Sequence, residues 1–228
     1  MGVQRIVQRI SGCGPSADRF AKRTNGEERT RIQRHCVASE VIAPIQQDRA
    51  MSIQIVFETH SISEDNEKGI ATGWHQGRLS DEGRLRAKAL GERRRNDGLH
   101  AVFTSDLRRA VETADIAFAE TALPVFHDWR LRECNYGQQN GMSRVELQRT
   151  RREHLEESYP AGESWRQAVQ RVGRFLDDLH LYWEGKRVLI IGHVATRWAL
   201  EHYLNGVSLE DLTEAEFNWR EGWEYILP

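Results

Sequence analysis

From residue 51 onward, short apolar runs alternate with polar stretches whose apolar positions recur at helical spacing. Ile53-Gln-Ile-Val-Phe57 is β-branched and apolar and breaks into polar residues at His60. That is the pattern of a buried strand carrying a reactive side chain at its end. Arg187-Val-Leu-Ile-Ile-Gly-His193 repeats it near the other end of the chain. Between the two, residues 64–78 read as polar, glycine-punctuated loop. Ser80-Asp-Glu reads as a helix start, with a capping hydroxyl and acids in the first turn, and Leu85, Ala89 and Leu90 carry the helix towards Asn96-Asp-Gly98. His100 to Thr104 is a short strand that leads into a helix with Ser105 as its N-cap. Leu123 to Phe126 is a third strand, residues 129–141 a loop, and residues 143–157 a helix.

A longer helix spans 163–183, with Val169, Val172, Leu176 and Leu179 on one face. Strand 188–191, helix 195–204 and a final edge strand near residue 227 complete the series. This alternation predicts an α/β fold, a three-layer α/β/α sandwich around a mainly parallel sheet. If the two histidine-terminated strands lie parallel in it, both histidines reach the carboxyl edge, where such sheets bind ligands.

Residues 1–50 break the pattern. They hold one aromatic, Phe20, with nine Lys/Arg against five Asp/Glu, and bury too little apolar surface to offset the entropy of ordering. They are expected to be a disordered or non-native N-terminal extension, with Met51 as the biological start, and residues 51–228 to be one domain. The remaining 23 Lys/Arg against 29 Asp/Glu leave that domain mildly acidic. A general basic field for nucleic acid is absent, so an anion must be held by a local cluster. Three cysteines without a CxxC pair imply no disulfide framework and a cytoplasmic setting. No apolar run approaches the ~20 residues of a membrane helix, so no membrane partner is expected.

Two strand-end histidines, an arginine at a helix start and an acid on a nearby loop suit few reactions. A metal site would show HxxxH or HExxH, and a serine hydrolase GxSxG; neither is present. Cys134 has no setting that would lower its pKa. Phosphoryl transfer needs an in-line nucleophile, donors around three phosphate oxygens and a proton donor for the leaving oxygen, all of which the chain can supply.

Five motifs then carry a resemblance. Thr59-His60-Ser61 followed by Asn66, Ser105-x-Leu107-x-Arg109-Ala110-x-x-Thr113-Ala114, Leu131-Arg-Glu133, Gly162-Glu-Ser164 and Gly192-His193-Val stand in the order found in the histidine phosphatase superfamily, phosphoglycerate-mutase-like branch. The chain resembles that family from Ile53 to about Leu227. The resemblance implies that His60 attacks phosphorus to form a phosphohistidine, with its other ring nitrogen held by backbone. It implies that Arg109, Asn66 and His193 surround the phosphoryl oxygens, that Glu133 exchanges a proton with the leaving group and then with water, and that neither a metal nor another cofactor is needed.

The chain departs from the family in the first motif, where Thr59 and Ser61 replace an arginine and a glycine. Their hydroxyls can bind phosphate but carry no charge. Two lost charge-assisted hydrogen bonds of roughly 1.5–3 kcal/mol each are equivalent to about two to four powers of ten in rate unless another cation substitutes. Arg78, Arg108, Arg132 and Lys68 are the possible substitutes, and Glu58 would repel substrate if it pointed inwards. Two readings stay open: a phosphomonoesterase acting on a small phosphorylated molecule, and a weakened relative that binds such a ligand. The short span from Glu133 to Gly162 favours hydrolysis over mutase-type phosphotransfer. Trp74, His75, Trp129 and Tyr136 lie in loops that could rim the site, and a homodimer is possible.

Overall fold

The computed structural model describes residues 51–228; the expectation for residues 1–50 lies outside the described part. Five strands form one sheet: β1 (Ile53–Thr59), β3 (Ala101–Thr104), β4 (Val125–His127), β6 (Arg187–Gly192) and β7 (Trp223–Leu227), in the order β4-β3-β6-β1-β7. All neighbours are parallel except β7, which pairs antiparallel with β1 at the edge. Alternate residues of the central strands serve opposite faces. Val56, Val102, Leu189 and Ile191 pack under the helices α2 (Asp81–Arg94) and α3 (Arg108–Phe118), through Leu90, Ala114 and Phe118. Ile55, Phe57, Phe103 and Ile190 join a larger core with Trp165, Val172, Phe175, Trp198 and Ala199 from α5 (Trp165–Tyr182) and α6 (Val194–Asn205). The expected three layers are present. No described helix is long and apolar enough to cross a membrane.

Caps set several helix boundaries. Ser80 accepts from Gly83 N to open α2, and Ser164 and Gln167 form a reciprocal capping box at the start of α5. The stretch read as loop, 64–78, contains the short helix α1 (Glu64–Glu67) and strand β2 (Ile70–Ala71), which pairs with β5 (Met142–Ser143) in a separate two-stranded sheet.

Three boundaries differ from expectation. The third strand begins at Val125, because Pro124 has no N–H for the ladder and contributes only its carbonyl, to Val102 N at 3.0 Å. The helix expected over 143–157 exists only as α4 (Arg144–Thr150), followed by turns. Past Thr150 the chain bends inward and buries Arg151 and Leu155, and the carbonyls of His154 and Leu155 accept Trp165 N and Arg166 N, the open donors at the start of α5. Finally, Ser105 does not cap α3: the N-cap residue is Leu107, without a side-chain cap, and Ser105 Oγ is turned towards His193. A last short helix, α7 (Leu209–Glu214), precedes the segment leading into β7.

Candidate active site

β1 and β6 run in register Thr59↔Gly192, and His60 N donates to Gly192 O at 3.0 Å. Each strand therefore ends level with the other, and the next residue in each is a histidine. The two imidazoles stand 4.9 Å apart, tilted by 51°, at the carboxyl edge of the sheet. They open on a cleft of about 1260 Å³, larger than the ~300–1,000 Å³ of most small-ligand sites.

Arg109, 2% exposed in the first turn of α3, lies between them. Its guanidinium donates to the carbonyls of His75 and Gly73, both at 2.9 Å, its Nε to His60 Nε2 at 3.3 Å, and Nη2 stands 3.4 Å from His193 Nδ1. Burial lowers its pKa, opposed by the negative charges of Glu133 and Asp65 and by Tyr136. Among the described residues no hydrogen bond or ion pair joins this cation to a carboxylate; its partners are carbonyls and imidazoles.

The His60 tautomer follows from its partners. Nδ1 lies 2.7 Å from Ser61 O, an acceptor, and Nε2 faces an arginine N–H, which can only donate. The proton is on Nδ1 and the lone pair on Nε2. Burial, reinforced by the Arg109 charge and opposed by the bond to Ser61 O, lowers the pKa of this ring to about 3. His193, 1% exposed, has its pKa held well below the usual value, first by burial, then by the charge of Arg109, with His60 and Arg171 adding to it.

Glu133 lines the same cleft. Its Oε1 accepts from Ala195 N at 3.0 Å and Cys134 N at 2.9 Å, and its Oε2 from Val194 N at 3.2 Å, so the carboxylate docks at the N-terminus of α6. The main chain there is clamped by Arg171, which donates to the carbonyls of Arg130, Arg132 and Glu133 at 2.6–2.8 Å, and by Trp74 Nε1, 2.7 Å from Glu133 O.

The remaining sequence-predicted residues divide. Asn66 lines the cleft with its Oδ1 accepting from Ser63 N at 3.1 Å, which directs the amide NH₂ elsewhere. Thr59 also lines the cleft. The Ser61 hydroxyl donates to Gly83 O at 2.6 Å, and Ser61 N donates to Thr113 Oγ1 at 2.9 Å, so this hydroxyl braces α2. Glu58 also lines the cleft, and its Oε1 accepts from Arg94 Nε at 2.9 Å and Arg93 Nη2 at 3.1 Å.

The four arginines and lysines named as substitutes for the missing cation are not among the cleft-lining residues. Arg78 pairs with Glu64 at 2.6 Å, Arg132 pairs with Asp106 and lies 4.5 Å over Trp74, and Arg108 and Lys68 are exposed. The cations that do line the cleft besides Arg109 are Arg86, Arg93, Arg144, Arg149 and Arg151. Of these, Arg151 is 7% exposed, lies 5.6 Å from the Trp165 ring and 5.4 Å from the Trp198 ring, and its Nε has no hydrogen-bond partner. Of the expected rim aromatics, Tyr136 lines the cleft; Trp129 is exposed and, like Trp74 and His75, outside the lining.

Sequence reasoning missed Arg171, Arg151 and the role of Ser105. Arg171 had a visible signal, a charge inside the apolar stripe of α5. Cys134 is buried, and burial pushes its thiol pKa up, which excludes it as a nucleophile at neutral pH. Among the described residues no group of three or more His, Cys, Asp or Glu could hold a metal ion.

A mainly parallel α/β sheet thus gathers two imidazoles, a buried guanidinium and a docked carboxylate at its carboxyl edge. The chain belongs to the histidine phosphatase superfamily, branch 1, whose family profile matches residues 55–219. A 2,3-bisphosphoglycerate-dependent phosphoglycerate mutase of Neisseria meningitidis serogroup C is 29% identical, the match covering 72% of this chain and 90% of that protein. Among solved structures, Bacillus stearothermophilus YhfR superposes with a TM-score of 0.66 at 25% identity, over 74% of this chain and 88% of that one. A mycobacterial glucosyl-3-phosphoglycerate phosphatase shares the fold at 23% identity and a TM-score of 0.62, over 72% and 86% of the two chains.

The depressed histidine pKa values have a consequence for stability. Both rings stay neutral in the folded protein while the unfolded chain protonates near 6.5, so between about 3 and 6.5 the unfolded state binds more protons. Their contribution is complete above pH 6.5 and is lost as the pH falls. Thermal melts from pH 8 to 4 are expected to show Tm dropping below 6.5, with a shallower drop in the His60→Asn, His193→Asn double variant; an equal drop in both would refute this assignment.

Proposed function

We propose that the protein is a metal-independent phosphomonoesterase that forms a phosphohistidine on His60. The observation that carries this reading is the Arg109 guanidinium, buried without a carboxylate and donating to the lone pair of the nucleophilic nitrogen. A phosphate ester entering the cleft takes up the Arg109 donors and leaves His60 Nε2 facing phosphorus. The Nε2–P bond forms as the P–O bond to the leaving group breaks. Glu133 acts in its protonated form, giving its proton to the departing oxygen and becoming the carboxylate that the amides of Cys134, Val194 and Ala195 hold. Water then attacks the phosphohistidine, the resulting carboxylate takes the water's proton, and inorganic phosphate departs from a regenerated imidazole. The fixed positive charge, pre-oriented in a desolvated site, stabilises the charge shared by the equatorial oxygens.

The substrate is a small phosphorylated molecule. Arg151 lines the same cleft as Glu133, the proton donor to the leaving group. Its guanidinium, whose Nε has no hydrogen-bond partner among the described residues, suits a second anionic group on the substrate, consistent with the phosphoglycerate named for the Neisseria relative. A competing reading, a ligand-binding protein with little turnover, is favoured by Thr59, which leaves the phosphate one cation short of the family pattern.

Three measurements decide among these. In the presence of chelator, hydrolysis of p-nitrophenyl phosphate is expected to exceed that of the His60→Ala protein at least a hundredfold, with an acid-labile phosphoenzyme; equal rates sink the enzymatic reading. Thr59→Arg is expected to raise kcat roughly 10- to 100-fold, the worth of one charge-assisted hydrogen bond, and an unchanged kcat would mean that another group already fills that role. Arg151→Met should raise KM about tenfold or more for an ester whose leaving group bears a carboxylate and leave KM for the aryl ester within about twofold. Equal effects on both esters would remove Arg151 from leaving-group recognition.

A further inference from the structure

Ser105 follows the last residue of β3, is fully buried, and directs its hydroxyl away from the helix it precedes. Oγ lies 2.7 Å from His193 Nε2 and 3.4 Å from Leu107 N. A neutral imidazole has one N–H and one lone pair, and their arrangement is set by its neighbours. On the Nδ1 side, at 3.4 Å, is Arg109 Nη2, which can only donate; a hydroxyl can accept as well as donate. The lone pair is therefore on Nδ1 and the proton on Nε2, with Ser105 Oγ as its acceptor.

The groups facing the ring are Arg109 from α3, His60 from the end of β1, Arg171 from α5, and Glu133, whose carboxylate takes the N–H groups of Val194 and Ala195 beside it. Two cations and burial keep the ring neutral in the empty site. Nδ1 and His60 Nε2 thus both present lone pairs to the same guanidinium. A fully deprotonated phosphoryl group would bring only further lone pairs to Nδ1. A singly protonated one brings the missing hydrogen.

We propose that Ser105 is a positioning residue that fixes His193 as the Nε2–H tautomer, and that through it the site selects phosphate esters in their monoanionic form. The proposal rests on reading this cleft as a phosphoryl site. On binding, the O–H bond of the ester monoanion breaks and an Nδ1–H bond forms, giving an imidazolium whose Nε2–H stays on Ser105 Oγ. The imidazolium then donates to the phosphoryl oxygen, and the proton returns to inorganic phosphate at release. An alanine at 105 leaves a buried N–H without an acceptor, which favours the other tautomer and places a hydrogen where the lone pair belongs.

The test uses the full chain, with Ser105→Ala and Ser105→Thr as variants and inorganic phosphate as ligand. ¹⁵N NMR of His193 in the free wild-type protein is expected to show a protonated Nε2 and an unprotonated Nδ1; the reverse overturns the proposal. Wild-type phosphate affinity should fall as pH rises through the second pKa of inorganic phosphate, about one unit above the ~6 of a phosphomonoester. That dependence should be lost in Ser105→Ala and restored in Ser105→Thr, and an unchanged pH dependence in Ser105→Ala overturns the proposal. kcat/KM for the aryl ester should fall about 10- to 100-fold in Ser105→Ala with the same loss of pH dependence. If the wild-type protein binds phosphate with the expected tautomer and pH dependence but turns nothing over, the phosphatase reading fails and this one stands. If Ser105→Ala does not fold, the tautomer in the wild-type protein and the pH dependence in Ser105→Thr decide it.

Discussion

The parallel pairing of β1 with β6, in the register that sets Thr59 opposite Gly192, is the constraint on which the rest of the site depends. Side chains on a strand alternate with a period of two, so a slip of one residue would exchange Val56 for Phe57 at the core and move His60 off the edge. The register is enforced from both faces, because Ile55 and Phe57 belong to one core cluster and Val56 to the other. His60 N on Gly192 O extends the ladder by one bond beyond the strand. Two residues 133 positions apart in sequence thereby become neighbours at 4.9 Å. The hydrophobic core fixes the distance between two catalytic candidates.

Electrostatics then follow from what is missing. A buried arginine usually meets a carboxylate, and Arg171 and Arg94 do. Arg109 instead has carbonyls and imidazoles, which orient it without neutralising it. Burial, reinforced by the same charge, lowers the pKa of both histidines. Glu58, one residue before Thr59, lines the cleft with its charge paired to Arg93 and Arg94. The loop carrying Glu133 is fixed by the main-chain contacts of Arg171 and Trp74, while its carboxylate is seated on the amides of α6.

Local chemistry made some of this legible. Ser80 and Ser164 open helices because a short hydroxyl satisfies a free N–H in the first turn, and both were readable from the residues that follow them. The apolar β-branched runs read as strands because both faces of a central parallel strand are buried. Ser105 carries the same local signal as Ser80, yet its hydroxyl goes to a histidine 88 residues away. The segment after Thr150 has a helix-compatible sequence, yet its carbonyls are taken by the start of α5 and its arginine by two tryptophans. In each case a long-range partner outbid a local one.

The sequence alone determined the strands, most of the helices, the family and the residue types at the centre of the cleft, because apolar periodicity, capping hydroxyls and motif order are properties of neighbouring residues. It also exposed the substitution at Thr59. Only the tertiary structure decided which cations reach the cleft, which arginines pair with Glu58, that the Ser61 hydroxyl braces a helix, and which groups face each histidine nitrogen. Those outcomes depend on the partner each polar group finds across the fold, and a desolvated donor or acceptor takes whichever partner packing brings within hydrogen-bonding distance.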